Sequence, residues 1–164
     1  MPIRDIMPAE YQACLDIYNY YILNTTITLE TEALSLETFA KRIEGIRAQY
    51  PFLVYEDEAG ELRAYAYLSQ FHPRAGYRYT CDLSIYVRDG QLAQGIGTAL
   101  FTEIFARAKA LGLKDMISLI TEENERSLRW HSKHGFKTVG LMEGVAEKFG
   151  RRFGVYYLQK RIDA

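Results

Sequence analysis

The chain has 164 residues, of which 48% are hydrophobic and 25% charged, with a formal net charge of −1 at pH 7. This composition is typical of a folded, water-soluble protein, and the length predicts a single domain over residues 1–164. A net charge near zero excludes the overall basic field that recruits nucleic acid or an anionic membrane, and no apolar run is long enough to span a bilayer. We therefore expect no nucleic-acid partner and no membrane partner.

The first half of the chain predicts short strands and two helices. Pro8 suits the first turn of a helix, and apolar residues follow it at helical spacing. Ser35 is a predicted helix N-cap, because its hydroxyl can accept a hydrogen bond from a free backbone N–H group. In chain order we predict a strand over 3–6, a helix from Pro8, a loop over 24–31, a helix after Ser35, strands over 52–56 and 61–70, and a loop over 71–76.

The second half predicts strands that alternate with helices. In chain order these are a strand over 77–87, a helix over 97–111, a strand over 115–121, a short helix over 124–134, and strands over 136–141 and 154–161. Gly112 and Gly135 are predicted to end the two helices, since glycine readily adopts the left-handed conformation found there. The whole order predicts an α/β fold, with a mixed sheet and helices on both faces.

A pair of glycines opens the long helix of the second half. Gly95 and Gly97 carry no Cβ, so an anion can approach the backbone closely at this point. The first N–H groups of a helix are unpaired and lie at the positive end of its dipole. The pattern indicates a phosphate or pyrophosphate site, and its alternative is an ordinary turn and helix start.

Three separated segments occur in an order that is known from one family. They are the strand with its glycine-opened helix, the segment NERSLRWH over 124–131, and Gly135-Phe136 after it. Together they resemble the GNAT superfamily of N-acetyltransferases, and within it the phosphinothricin and methionine sulfone or sulfoximine acetyltransferases. The resemblance implies the GNAT-type fold, a mixed, mostly antiparallel sheet flanked by helices on both faces. It also implies acetyl-CoA as co-substrate, a small-molecule amine acceptor and a homodimer.

The resemblance further implies how acetyl-CoA is held. Its pyrophosphate would lie on the backbone N–H groups of residues 94–98, and its pantetheine arm would hydrogen-bond to the preceding strand. The implied cofactor residues are Ile85, Tyr86, Val87, Gln94, Gly95, Ile96, Gly97, Thr98, Asn124 and Ser127. Leu92 is a departure, because the family usually has Arg or Gln there, and one charge-assisted contact is therefore missing.

Acyl transfer from a thioester to an amine requires that the amine lose a proton and that the leaving thiolate be stabilised. Asp82 matches the position of a Glu that the resembling enzymes use as a base, so it is the predicted base. His131 matches a position near the cofactor sulfur, where it would protonate the thiolate or position the thioester. The alternatives are an ion pair of Asp82 with Arg74 or Arg78, and a structural role for His131.

The acceptor site is expected to meet a small amino acid with a carboxylate and a polar or anionic side chain. Arginine forms bidentate contacts with such oxygens. The predicted acceptor residues are Thr26, Thr28, Arg74, Arg78, Tyr79 and Thr80. His72 stands where relatives commonly have Lys or Arg, which weakens the prediction of phosphinothricin itself. The basic run over 148–152 is predicted to be a solvated hairpin loop, and Trp130 a core residue.

The resemblance, together with these residues, implies acetyl transfer to the α-amino group of methionine sulfone, methionine sulfoximine, phosphinothricin or a similar amino acid. The alternatives are a GNAT enzyme for a different amine and a non-catalytic sensor that binds acyl-CoA. Cys14 and Cys81 have neither metal-ligand nor disulfide spacing. We therefore expect no metal and a cytoplasmic location.

Overall fold

A seven-stranded sheet forms the centre of the part of the chain that the computed structural model describes, residues 2–92 and 94–163. The strands are β1 (Ile3–Asp5), β2 (Phe52–Glu56), β3 (Leu62–Gln70), β4 (Thr80–Val87), β5 (Asp115–Thr121), β6 (Lys137–Lys148) and β7 (Arg151–Arg161). The helices are α1 (Tyr11–Asn24), α2 (Leu36–Arg47), α3 (Ile96–Ala110) and α4 (Glu125–Lys133). Short 3₁₀ turns cover Pro8–Glu10 and Ala75–Tyr77.

The strands are arranged in the order β1-β2-β3-β4-β5-β7-β6. Neighbouring strands are antiparallel except for β4 and β5, which are parallel. A parallel pair needs a crossover connection, and α3 supplies it here. The predicted α/β fold with a mixed sheet is therefore confirmed.

Both faces of the sheet are covered by helices on the β1–β4 side. Successive strand residues point to opposite faces, so Leu53 and Leu68 pack against Leu100 of α3, whereas Phe52 and Val54 pack under α1 and α2. These two apolar clusters hold α3 on one face and α1 with α2 on the other. No helix among the described residues is long and apolar enough to cross a membrane.

Most predicted elements are present, with two differences in their bounds. The strand predicted from residue 77 begins at Thr80, because Ala75–Tyr77 forms a 3₁₀ turn. The last two strands are longer than predicted and meet in a tight hairpin. Phe149 and Gly150 both have positive φ, 55° and 72°, and Lys148 pairs directly with Arg151 across this turn. Two consecutive residues with positive φ match the twist of a hairpin, so the pairing continues to its end.

Candidate active site

The candidate site lies where β4 and β5 separate. The two strands pair only over residues 80–82 and 115–117, and no further backbone pair joins them within the described residues. Each strand continues for several residues beyond Asp82 and Ile117. A gap therefore opens in the middle of the sheet, and it connects the α3 and α4 face with the α1 and α2 face.

The backbone of β4 offers hydrogen-bonding groups to this gap. The N–H group of Arg88 donates to Arg63 O at 2.8 Å, so alternate β4 residues direct their peptide groups toward β3. Ile85 and Val87 then direct theirs into the gap. Tyr21 donates its hydroxyl to Val87 O, in agreement with this direction. The free peptide groups suit an extended ligand that binds beside β4 as an additional strand would.

A cavity of about 420 Å³ fills the gap and continues along the first turn of α3 and the side of α4. It brings together all of the predicted cofactor residues except Gln94, which is not among its described lining residues. The predicted residues that line it are Ile85, Tyr86, Val87, Gly95, Ile96, Gly97, Thr98, Asn124 and Ser127. His131 also lines it, from α4.

The glycine pair has the geometry that a close-approaching ligand needs. Gly95 is the N-cap of α3 and has a φ of +77°, a conformation that residues with a Cβ rarely adopt. Gly97 has an ordinary helical backbone, and a Cβ placed on it would have Trp130 Nε1, at 4.0 Å, as its nearest neighbour outside its own helix. The fold therefore does not require glycine at position 97, and the space beside it lies in the cavity wall.

Trp130 has a larger role than the sequence predicted. It packs against the core, as expected, but it also lines the cavity and donates Nε1–H to Thr98 Oγ1 at 3.2 Å. His134 stacks on the Trp130 ring with a centroid distance of 4.1 Å and places Nε2 3.2 Å from the same Thr98 hydroxyl. These contacts fix α4 against the first turn of α3. The hydrogen bond between Trp130 and Thr98 could not be predicted from local patterns, since the two residues are 32 positions apart in the chain.

The charged side chains of the cavity wall favour an anionic ligand. Arg126, Arg129 and Lys133, all on α4, line the cavity, and no Asp or Glu lies among its described lining residues. Arg129 has only a loose contact with Glu125, at 3.9 Å and exposed to solvent. These three cations on one side of the cleft provide positive charge for an anionic ligand, whereas Leu92, at a position where the family usually has Arg or Gln, provides none.

Asp82 lies at the narrow end of the gap, on the face opposite to α3. It alternates with Leu83 and so shares its face with Tyr86, which packs against Tyr18 of α1 at 5.2 Å. Its Oδ1 atom is buried and has no hydrogen-bond partner among the described residues. Burial raises the pKa of Asp82 to about 7, because the charged form is poorly solvated there.

The alternative of an ion pair for Asp82 finds no support in this geometry. Arg78 donates to Ala75 O at 3.0 Å, and its guanidinium lies over the ring of Tyr79 at 4.5 Å. Neither Arg74 nor Arg78 forms a salt bridge with Asp82 in the part of the chain that is described. A carboxyl with a pKa near neutrality can exchange protons at physiological pH, which is what a general base requires.

His131 is held by both of its ring nitrogens and is 6% exposed. Nδ1 lies 2.7 Å from Ser127 O, which can only accept, so Nδ1 carries the proton. Nε2 then accepts from the hydroxyl of Ser118 at 3.0 Å. Burial lowers the pKa of His131 to about 4, and the ring is therefore neutral at pH 7. The catalytic role of His131 stays a prediction. Two roles were predicted, protonation of the thiolate and positioning of the thioester, and a neutral ring held at both nitrogens favours positioning.

The predicted acceptor residues lie outside the cavity wall, in two places. Arg74, Arg78, Tyr79 and Thr80 precede or begin β4, at the narrow end of the gap, and Thr80 shares its face of the strand with Asp82. Thr26 and Thr28 lie in the loop after α1, where Thr26 donates to Glu123 at 2.9 Å and Thr28 contacts the Tyr18 hydroxyl at 2.9 Å. Ile27, between them, does line the cavity.

The prediction of a solvated loop over residues 148–152 is wrong for Lys148. This side chain is 3% exposed and donates Nζ–H to Thr28 O at 2.8 Å. Burial lowers its pKa, because desolvation disfavours the ammonium form. Arg151 and Arg152 are exposed, as predicted. The burial of Lys148 could not be predicted from the sequence, since Lys148 and its hydrogen-bond partner Thr28 are 120 residues apart.

The described residues contain no group of three or more His, Cys, Asp or Glu side chains that could hold a metal ion.

Comparison with known proteins agrees with the geometry of the cleft. A model of the family described as acetyltransferase (GNAT) domain matches residues 3–155. The L-methionine sulfoximine/L-methionine sulfone acetyltransferase of Pseudomonas paraeruginosa is 35% identical over 162 residues, which cover 98% of this chain and 94% of that protein.

Two solved structures are similar over nearly the whole chain. One is a GNAT superfamily phosphinothricin acetyltransferase from Sinorhizobium meliloti in complex with acetyl-CoA, with a TM-score of 0.94, 34% identity, and coverage of 98% of this chain and 89% of that one. The other is a ribosomal-protein-alanine N-acetyltransferase from Brucella melitensis, with a TM-score of 0.94, 31% identity, and coverage of 98% and 99%. The overall fold is thus shared with acetyltransferases of more than one named substrate.

The raised pKa of Asp82 predicts a pH-dependent effect of Asp82→Asn on stability. The pKa of an aspartate in an unfolded chain is about 3.9. Between about pH 4 and pH 7 the folded protein therefore holds a proton on Asp82 that the unfolded chain has lost. The contribution of Asp82 to stability is thus full below pH 4 and is lost as the pH rises to about 7. We expect the free energy of unfolding of the variant, relative to wild type, to rise over this interval and then level off. Urea unfolding at several pH values measures it, with the exposed Asp16→Asn as control. A difference that does not change with pH contradicts the prediction.

Proposed function

The chain belongs to the GNAT acetyltransferase family and is an acetyl-CoA-dependent N-acetyltransferase, and we propose that its acceptor is the α-amino group of a small amino acid or amino-acid analogue. Methionine sulfone, methionine sulfoximine and phosphinothricin are the acceptors that the similar proteins suggest. The observation that carries the proposal is Asp82, whose Oδ1 atom is buried and has no hydrogen-bond partner among the described residues, at the point where the cleft opens through the sheet.

The cleft fits acetyl-CoA in shape and in charge. The peptide groups of Ile85 and the N–H group of Val87 suit the amide groups of pantetheine, and the start of α3 with the α4 cations suits the phosphates. The acetyl-CoA would then lie on the α3 and α4 face, with its thioester toward the narrow end of the gap. The acceptor would approach from the face that carries Asp82, so that the two substrates meet through the sheet.

In this arrangement Asp82 acts as the general base. The acceptor amine is protonated at neutral pH and cannot attack until it loses a proton. A carboxyl with a pKa of about 7 is partly ionised at that pH and accepts the proton more readily than an exposed aspartate would. The freed nitrogen bonds to the thioester carbon, the C–S bond breaks, and the CoA thiolate leaves. The nitrogen loses its second proton as the amide forms, and the thiolate takes up a proton directly or through solvent. The neutral His131 holds α4 and Ser118 of β5 together beside the thioester.

Arg74 and Arg78 are the proposed contacts for the acceptor's oxygens. Both precede β4 and lie within a few residues of Asp82, and guanidinium groups bind carboxylates in a bidentate manner. Tyr79 and Thr80 are the proposed walls of the amine pocket, and Thr26 and Thr28 the loop that faces it. Cationic acceptors such as polyamines would be repelled by this pair of arginines.

A peptide N-terminus is the second candidate acceptor. It is favoured by the similarity to the ribosomal-protein-alanine N-acetyltransferase of Brucella melitensis, whose identity to this chain, 31%, is close to that of the phosphinothricin enzyme. Both acceptors present an α-amino group, so Asp82 would serve the same purpose for either. They differ in whether a free carboxylate is next to the amine.

We also propose that the enzyme is a cytoplasmic homodimer. Val139, Val145 and Phe149 are exposed apolar side chains at the β6 edge of the sheet, which suits contact with a second copy. Both cysteines are free and buried, as suits a reducing compartment.

An acceptor panel tests the proposed function. CoA thiol release is measured with methionine sulfone, phosphinothricin, spermidine, an aminoglycoside and a peptide with N-terminal alanine. We expect turnover with methionine sulfone or phosphinothricin, and none with spermidine or the aminoglycoside. Turnover with the peptide alone supports the second candidate. Acetyl-CoA binding without turnover of any amine favours the sensor alternative.

Asp82→Ala separates catalysis from binding. General-base catalysis contributes roughly 10²–10⁴-fold, so we expect kcat to fall by that order while the Kd for CoA is unchanged. In wild type, kcat/KM should rise as the pH passes about 7, and this limb should be absent in the variant. Asp82→Glu is the control, because it restores a carboxyl at the same position. A variant with wild-type kcat contradicts the assignment of the base.

Gly97→Ala tests the close approach of the phosphates. The added Cβ meets no atom nearer than 4.0 Å in the protein, and alanine favours a helix over glycine by about 1 kcal/mol. We therefore expect the free energy of unfolding to stay the same or rise, while the Kd for CoA rises by about tenfold, or about 1.4 kcal/mol. Isothermal titration calorimetry and urea unfolding measure the two effects. Gly45→Ala in α2, where a Cβ is also free of contacts, is the matched control and should leave CoA binding unchanged.

A further inference from the structure

The last turn of α1 and the loop that follows it cross the gap on the face opposite to α3. At the β4 side, Tyr21 donates its hydroxyl to Val87 O. At the β5 side, Thr26 donates to Glu123 Oε1 at 2.9 Å, and Glu123 follows the end of β5. The segment over residues 21–28, called here the bridging segment, thus links the two strands where they no longer pair with each other.

Ile27 is held between two anchored threonines. On one side, Thr26 contacts Glu123, which also forms an ion pair with Arg151. On the other side, Thr28 contacts Tyr18 through its hydroxyl and accepts from Lys148 through its carbonyl. Ile27 has little freedom to move away from the position in which these contacts hold it.

The side chain of Ile27 reaches the cleft from the opposite face of the sheet. Ile27 and Tyr21 line the cavity, although the segment that carries them belongs to the α1 and α2 face. Continuing the β4–β5 register past Asp82 places Tyr86 level with Thr121, about 13 Å along the gap. Ile27 lies near this level, since its neighbours bind Glu123 and Lys148. It therefore fills the wide part of the gap and leaves the narrow part, beside Asp82, open.

The burial of Lys148 has no obvious benefit for packing. Transfer of an ammonium group out of water is costly, and a methionine of similar length would fill the same space without that cost. What the lysine adds is a hydrogen bond to Thr28 O, next to Ile27, and a favourable charge interaction with Glu30. The desolvation cost of the Lys148 ammonium group has an explanation if the hydrogen bond to Thr28 holds the bridging segment in the position that function requires.

We propose that Ile27 closes the wide part of the gap to water, so that the thioester at the narrow end is reached only from the side that Asp82 occupies, and that Lys148 is a positioning residue that acts through Thr28. The inference rests on the proposed function, because it concerns the same cleft. Without the seal, water replaces the amine as the attacking group. Its oxygen bonds to the acetyl carbon, the C–S bond breaks, and the products are acetate and the CoA thiol. Of the two protons that the water gives up, one goes to the thiolate and the other to solvent. Exclusion of water from a reactive intermediate is a known benefit of closed sites.

Ile27→Ala tests the seal through the stoichiometry of the reaction. With acetyl-CoA and methionine sulfone, CoA thiol and acetylated product are measured in the same sample, the second by mass spectrometry. We expect equal amounts in wild type and an excess of thiol in Ile27→Ala, with thiol release also in the absence of acceptor. Ile27→Val should keep the two amounts equal. Leu29→Ala is the matched control, because Leu29 is on the same loop, is 43% exposed and is not a lining residue of the cavity.

Lys148→Met gives an independent test that preserves the bulk at the anchor. We expect the same excess of thiol, with CoA binding retained, since Lys148 does not line the cavity. Equal amounts of thiol and product in both Ile27→Ala and Lys148→Met overturn this inference while the proposed function stands. A wild-type protein that forms no acetylated methionine sulfone overturns the proposed acceptor and, with it, this inference.

Discussion

The site depends on one constraint, the limited pairing of β4 and β5. Three residue pairs join these strands, and after Asp82 and Ile117 the two backbones separate. Backbone N–H and C=O groups beyond the last pair of a sheet need other hydrogen-bond partners or remain available to a ligand, because a buried and unpaired peptide group lowers the stability of the fold. Tyr21 satisfies Val87 O, and the neighbouring groups of β4 stay open to the cleft. The end of the ladder therefore creates both the space for a ligand and the groups that bind it.

Burial sets the protonation states on the two sides of this gap. On one side, desolvation raises the pKa of Asp82 and makes its carboxyl easier to protonate. On the other side, desolvation lowers the pKa of His131 and keeps its ring neutral. The cations of the cleft are instead at its exposed rim, on α4, where water still solvates them. The cations that can attract an anion from a distance thus lie at the entrance, and the two groups with shifted pKa values lie in the interior.

The sequence was sufficient for those features that depend on neighbouring residues. Ser35 caps α2 through Thr38 N, and β5 has the predicted bounds, because caps and apolar runs are local patterns. The resemblance to a family supplied most of the cleft, since Gly95, Asn124 and their neighbours line it together. Contacts between distant segments could not be predicted. The bond from Lys148 to Thr28 and the bond from Trp130 to Thr98 depend on how sheet and helices pack, and no local pattern encodes them.

The position of Trp130 gives the protein an optical property of its own. The chain contains a single tryptophan, and its indole ring lies in the wall of the cleft, hydrogen-bonded to the first turn of α3 and stacked on an imidazole. Indole emission responds to the polarity and hydrogen bonding around the ring. The tryptophan fluorescence of this protein therefore comes from one place in the wall of the cleft, so that emission can report occupancy of the cleft without any label.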